Sequence, residues 1–230
     1  MTRGPLIVFE GAEGVGKTTQ ARRLVAALER HGHACVHLRE PGGTSLGESI
    51  RSVLLEPFRS ITPRAEALLF MASRAQLISE RVEPALDAGT IVVLDRFFLS
   101  TYAYQIHGRG LAASEVVAAN KLAVADIVPT ITIVLGLPMA DGLARAGKRA
   151  AHDYMEQLGS DFHTRVGAAF DESVTPEWQL AHPECGPIVG IDASGSEDEV
   201  FARIVDGIAR FLAPRLQSGL IADVHQGAAN

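Results

Sequence analysis

Several protein classes are excluded by what this chain holds little of. It has two cysteines, Cys35 and Cys185, too few and too widely spaced for a zinc site or a disulfide framework, and they read as buried free thiols of a reducing compartment. Its eight histidines include no HExxH pairing, so they read as structural or surface groups. No stretch reaches the ~18 consecutive apolar residues of a membrane span, and the apolar run nearest the start, Leu6 to Phe9, is too short for a secretory signal. The expectations are therefore a cytoplasmic location and no membrane partner. Positive charge is scarce as well, with 21 Lys and Arg against 27 Asp and Glu and a net charge of −6. A nucleic-acid backbone demands a broad basic field, so no nucleic-acid partner is expected. A small anionic ligand would need a local basic pocket.

What is present suits one large domain, since 47% of the 230 residues are hydrophobic. Short β-branched runs at residues 6–9, 34–38, 91–94, 131–135 and 188–191 alternate with long helical patterns. That alternation predicts an α/β three-layer sandwich over residues 1–213, in which a five-stranded parallel sheet is flanked by helices. Residues 214–230 form a small polar tail that reads as prone to disorder. Long helices are expected at 63–86 and 159–174, and a loop at 175–187. Ligands of such sheets sit beyond the carboxyl ends of the strands, and the unusual residues of this chain cluster there.

The first strand runs into EGAEGVGKTTQ, residues 10–20, where Gly11, Gly16, Lys17 and Thr18 fit GxxxxGK[ST] between a strand and a helix. Glycines let the backbone curl its N–H groups around a polyphosphate, and the helix start adds its positive dipole end. Gly11, Ala12, Glu13, Gly14, Val15, Gly16, Lys17 and Thr18 thus form a candidate phosphate cradle. Lys17 supplies a mobile charge, and the Thr18 hydroxyl a ligand for Mg²⁺.

Candidate groups recur after the other strands. REPGGT (39–44) leaves Arg39 at the end of strand two, able to reach a substrate phosphate or to pair with Glu40. Phe70 and Arg74 lie one helical turn apart, a workable receptor for a nucleobase, although a Phe at helical spacing also suits a core. Strand three ends in Asp95, where P-loop enzymes keep a carboxylate for magnesium, and in Arg96, aimed at the same cavity. Ser100, Tyr104 and Gln105 follow in a run rich in groups that read sugars and bases. From about 142 to 157, Arg145 and Arg149 sit four apart in a segment with few large apolar residues, which suggests a lid.

Taken together, these residues resemble bacterial thymidylate kinases, nucleoside monophosphate kinases of the P-loop class. The motifs are EGAEGVGKTT, REPGGT, FMASRAQ, the DR pair with LSTYAYQ, GRG at 108–110, the lid's D-x-x-E and IDAS at 191–194. The resemblance implies transfer of a phosphoryl group from ATP to dTMP with Mg²⁺, in a homodimer. It implies catalytic roles for Lys17, Glu13, Arg96 and Arg149, with Glu13 near the acceptor's 3′-hydroxyl and Arg149 and Arg145 in the lid. Phe70 would stack on thymine and Arg74 bind its O4. Arg39 and Arg96 would hold the acceptor phosphate, Tyr104 would crowd the sugar's 2′ position, and Gln105 would lie near the base. Asp192 and Ala193 would hold adenine, and Thr18 and Asp95 the metal. The sequence departs from the family pattern at Tyr154 in the lid, at Gly147 and Lys148, at Ile106 and His107, and at Phe97. The alternatives those departures raise are a kinase for another or modified pyrimidine nucleotide and a non-catalytic nucleotide-binding homologue.

Overall fold

A computed structural model describes residues 3–56, 60–138, 141–142, 145 and 158–212. Strands β1 (Leu6–Glu10), β2 (Cys35–Arg39), β3 (Ile91–Asp95), β4 (Ile131–Gly136) and β5 (Ile188–Asp192) form one sheet in the order β2-β3-β1-β4-β5. Every pairing is parallel. The β1, β3 and β4 runs are almost wholly buried because helices cover both faces. Side chains alternate across the sheet. Ile7, Phe9 and Ile133 join Leu24 and Leu28 of α1 (Lys17–Arg30) and Ile204 and Ile208 of the last helix, Glu197–Leu212. Leu6, Val8 and Leu94 face the other way, against Leu77, Tyr102 and Phe170.

On that second side lie α2 (Ser45–Leu55), α3 (Pro63–Leu77), α4 (Glu83–Asp87), α5 (Phe98–Thr101), α6 (Ala113–Val124) and α7 (Ser160–Ser173). The helical path expected over 63–86 is continuous to Asp87 but widens into a π-helical turn at Ile78–Val82. The hydroxyl-rich run after Asp95 is also helical. α5 passes into a π-helical segment, Tyr102–Gly108, a form that often marks functional sites. Tyr102, Ala103, Tyr104 and Gln105 are all buried there.

One expectation is corrected. Residues 175–187 are not a plain loop, because α8 (Pro176–Ala181) and a 3₁₀ turn at Pro183–Cys185 lie within it. Thr175 caps α8 by accepting from the Trp178 amide, Pro176 sits at the first helical position, and Trp178 is buried beneath. The last helix, α9 (Glu197–Leu212), then closes the described chain. Most of the expected lid, and the tail from 214, lie outside the described residues. Among the described residues no helix is long and apolar enough to cross a membrane.

Candidate active site

β1 is central in the sheet, so the loop that leaves its carboxyl end lies at the middle of the ligand-binding edge. Gly11 (φ 133°) and Gly14 (φ 73°) carry the bend. A Cβ at Gly11 would lie 2.5 Å from the Leu135 carbonyl oxygen, and one at Gly14 would lie 1.9 Å from that of Gly142, so no side chain fits at either. α1 begins at Lys17 with Gly16 as its N-cap, which offers no side chain to the first amides and leaves them for an anion. Lys17 Nζ donates to the carbonyls of Gly11 (2.9 Å) and Ala12 (2.6 Å). Burial and the Arg96 charge hold its amine down at about 8, against the pull of Glu13, Asp95 and Glu10.

The Thr18 hydroxyl donates to Asp95 Oδ2 at the end of β3. Among the described residues no group of three or more His, Cys, Asp or Glu could cage a metal. Mg²⁺ asks for less, since it is held by one or two hard protein oxygens together with water and substrate phosphates. The Thr18 and Asp95 pair fits that demand.

Next to Asp95, Arg96 adopts φ 68°, a left-handed backbone rare outside glycine and worth roughly 1–3 kcal/mol of strain. Its amide is anchored on the Phe9 carbonyl at 2.9 Å. The twist turns the guanidinium towards Glu13 (2.5 Å), Ser100 Oγ (3.1 Å) and the Gly11 carbonyl (3.3 Å), over the ring of Tyr104. Tyr104 donates its hydroxyl to the same Glu13 oxygen at 3.0 Å. Burial alone would push the Glu13 carboxyl up, but Arg96, Lys17 and the Tyr104 hydrogen bond hold it at about 2, so it is ionised. Behind this group is Glu10, fully buried, which accepts from the amides of Phe97 (2.8 Å) and Ser100 (2.9 Å) and from the Ser100 hydroxyl (2.6 Å). A strand-end carboxylate thus caps α5 and aims Arg96.

Phe70 is half-buried on the cavity wall. Arg74, one turn on, is 2% exposed and each of its three guanidinium nitrogens has a protein partner. Nε and Nη2 meet Glu40 at 2.7 and 2.6 Å, Nη1 donates to Thr101 (2.8 Å) and Asn120 (2.6 Å), and Nη2 also reaches the Phe97 carbonyl (2.8 Å). A base carbonyl would therefore share or replace one of these partners. Gln105 donates to Glu66 at 3.1 Å, and Glu66 also pairs with Arg109 at 2.5 Å. Arg39 pairs with Glu48 at 3.0 Å rather than with its neighbour Glu40, whose carboxylate is turned inward to Arg74.

Lys17, Thr18, Arg39, Phe70, Arg74, Asp95, Arg96, Ser100, Tyr104 and Gln105 all line one cavity of about 590 Å³, with Glu13 and Gly14 on its wall. The residues expected to meet the donor lie apart from it. Asp192 ends β5 with its carboxylate on the Ser194 amide and hydroxyl. Ala193 is buried and bonds back to Gly136, and its carbonyl accepts from Arg145 at 3.4 Å. Asp192 and Val15 border a second cavity of about 680 Å³. Arg149, together with Gly147, Lys148, Asp153, Tyr154 and Glu156, falls outside the described residues.

Sequence reasoning missed Glu10 and Asn120, and it did not see Glu40 as the partner of Arg74 or Glu66 as that of Gln105. A carboxylate closing a wholly apolar strand was a visible signal for Glu10. Nothing in the pattern marked Asn120.

A glycine-rich loop between the central strand and α1, a threonine–aspartate pair at its foot and guanidiniums converging from separate elements define a P-loop protein built to handle nucleotide phosphates. Comparison with known sequences narrows this. Residues 9–204 match the profile of the family described as thymidylate kinase. The chain is 46% identical over 200 residues to a thymidylate kinase of Synechococcus sp. (strain JA-2-3B'a(2-13)), covering 86% of this chain and 91% of that protein. It is 43% identical over 204 residues to one of Deinococcus radiodurans, covering 89% and 96%. A thymidylate kinase of Desulfosudis oleivorans is 43% identical over 206 residues, with 89% and 96% covered. The chain belongs to the thymidylate kinase family.

Proposed function

We propose that this chain transfers the γ-phosphoryl group of ATP to the 5′-phosphate of dTMP, giving dTDP and ADP. The observation that carries the reading is the single cavity in which the phosphate loop, Arg39, Arg96 and the Phe70 and Arg74 pair meet. An aromatic wall at one end takes a base, the cations at the other take phosphates, and the span between takes a sugar.

Phosphoryl transfer needs alignment and charge neutralisation more than covalent help. The phosphate loop and Lys17 grip the donor's phosphates. Arg96, with Arg39 beside it, holds the acceptor phosphate in line. Mg²⁺, held through Thr18 and Asp95, would supply Lewis-acid neutralisation of the transferring charge. Glu13 accepts from the sugar, and a deoxyribose esterified at its 5′ oxygen has one hydroxyl to give, the 3′. The Tyr104 ring closes the space a 2′-hydroxyl would take. Family resemblance further assigns Arg145 and Arg149 to the lid, Asp192 and Ala193 to adenine, and the chain to a homodimer, for which we propose a cytoplasmic location. Leu68 on α3 and Leu122 on α6 are exposed apolar side chains on adjacent helices, suited to a second copy.

Ile106 and His107, which motivated a different pyrimidine as acceptor, do not line the cavity. The test is ADP release measured across dTMP, dUMP, dCMP, dGMP and AMP. Turnover of another monophosphate with none of dTMP overturns the proposal, and binding of ATP and dTMP without ADP release assigns the chain to a non-catalytic role.

A further inference from the structure

Glu66 opens a face of α3 that Phe70 and Arg74 continue at spacings of four. It is 1% exposed, and its oxygens are claimed from two sides. Arg109 donates Nη2 to Oε2 at 2.5 Å and Nε to Oε1 at 3.2 Å, with its guanidinium seated over the Phe162 ring. Gln105 donates Nε2 to the same Oε1 at 3.1 Å. A carboxylate paired with a guanidinium carries acceptors only, so an amide that faces it must present nitrogen. The nitrogen end of Gln105 is thereby tied back to α3, and the direction of the oxygen end follows. Gln105 is 2% exposed and lines the first cavity. Among the described residues no donor meets its Oε1, yet that oxygen is not sealed inside the protein. What this side chain offers a ligand is an unpartnered acceptor, in the same cavity as the donors of Arg74.

Resting on the proposed function, the aromatic wall of that cavity holds a pyrimidine whose polar edge faces Arg74 and Gln105. We propose that Glu66 is a positioning residue that selects bases with a hydrogen on ring N3, by locking the Gln105 amide with its oxygen towards the base. Glu66 itself touches no part of the acceptor. Thymine and uracil carry the N3 hydrogen and satisfy the Gln105 oxygen. Cytosine has a lone pair at that position, and set against a carbonyl oxygen it leaves two buried acceptors without a donor. Arg109 acts one step further back, by holding the Glu66 carboxylate in register from its other oxygen. The preference is therefore written two residues away from the base, in a choice between the two ends of one amide.

Glu66→Gln keeps the shape of the residue and gives it a donor. Arg109 then takes the oxygen of the new amide, its nitrogen turns to Gln105, and Gln105 answers with oxygen, which swings its own nitrogen towards the base. For wild type, kcat/KM for dTMP is expected to be at least about a hundredfold above that for dCMP. Glu66→Gln should narrow that ratio by at least about tenfold, the scale of one hydrogen bond exchanged for an orphaned group. The ratio of dTMP to dUMP, which share the N3 hydrogen, should stay within about twofold of wild type, whereas general loosening of the site would move both ratios. Glu66→Gln/Gln105→Glu places the carboxylate on the base side, where it again holds acceptors only, and should return the dTMP preference over dCMP to within about threefold of wild type. An unchanged dTMP-to-dCMP ratio in Glu66→Gln, a dTMP-to-dUMP ratio that collapses with it, or a double variant no more selective than the single one overturns the proposal. Should Glu66→Gln fail to fold, Gln105→Met decides, since it leaves the Glu66 and Arg109 pair intact. A loss of about tenfold or more in its dTMP-to-dCMP ratio sustains the proposal, and an unchanged ratio overturns it. If wild type turns over no dTMP, the function fails separately, and the same ratios read as dissociation constants by calorimetry decide the role of Glu66.

Discussion

Replacing Arg74 by methionine keeps most of the side-chain volume and removes the charge that compensates Glu40. Glu40 lies inside the protein, its side chain 3% exposed, with Oε1 already lacking a partner. Burial pushes its carboxyl up, and Arg74 is the main opposing influence. Breaking a buried pair from one side costs about 3–5 kcal/mol, and Thr101, Asn120 and the Phe97 carbonyl lose a donor as well. At about 2–4 °C per kcal/mol for a chain of this size, the melting temperature of Arg74→Met should fall by about 10 °C at pH 8. The loss has a pH signature. Without the guanidinium the folded state binds a proton on Glu40 more tightly than the unfolded chain does. The proton's contribution is fully present below the ordinary carboxylate range and fades as pH rises through it and beyond. The deficit should therefore be smaller at pH 5.5 than at pH 8. Glu40→Gln/Arg74→Met should regain about half of the lost stability while dTMP affinity stays low, which separates the ion pair from base recognition. Thermal unfolding followed by circular dichroism at both pH values reads this. A melting temperature within about 3 °C of wild type at pH 8, or a deficit that does not change with pH, refutes the argument.

Other perturbations test neighbouring parts of the site. With Lys17 held at about 8, kcat/KM for ATP should fall on an alkaline limb near pH 8, and a limb near 10 would remove Lys17 from phosphate binding in the free enzyme. Glu13, at about 2 against an ordinary 4.5, contributes stability present above pH 4.5 and lost as pH falls towards 2. Urea unfolding of Glu13→Gln should accordingly be weakened by up to about 3 kcal/mol at pH 7, and by less at pH 3.5. Gly14→Ala meets the Gly142 carbonyl at 1.9 Å and should raise KM for ATP at least tenfold, read by the ADP-release assay. Arg149→Ala should depress kcat far more than nucleotide affinity if its contact strengthens in the transition state, and equal losses would remove it from the chemistry.

The sheet was legible because its code is short-ranged. Five β-branched runs between helical periodicities leave little freedom in a parallel fold, and the strand boundaries agree to within a residue. The phosphate loop was legible for the same reason, since strand, glycines, lysine and helix are contiguous. Partner choice was not. Arg39 stands beside Glu40 in sequence, yet the strand end turns Glu40 into the protein and leaves Arg39 to Glu48. Arg74 looked like a free donor one turn from Phe70. Its acceptors come from residues 40, 97, 101 and 120, and no local pattern joins those positions. The helix at 176–181 was missed for a different reason, because Thr175–Pro176 is a capping signature that was present but went unused.

What unites four of the cations that line the cavity is that they are already occupied. Lys17 rests on two loop carbonyls, Arg39 on Glu48, Arg74 on Glu40 and Arg96 on Glu13. Glu48, Glu40 and Glu13 are the counter-ions that let these guanidiniums converge in so small a volume. Nucleotide binding is then an exchange of partners, in which a phosphate or a base oxygen takes the place of, or shares with, a protein oxygen already in position. The exchange demands little rearrangement, since Glu10 and the strained backbone of Arg96 fix the guanidinium before any ligand arrives. It also makes affinity a difference between two good contacts. On the proposed function, discrimination among acceptors must then come from shape, through Tyr104 at the sugar and Phe70 at the base, more than from the strength of any one ion pair.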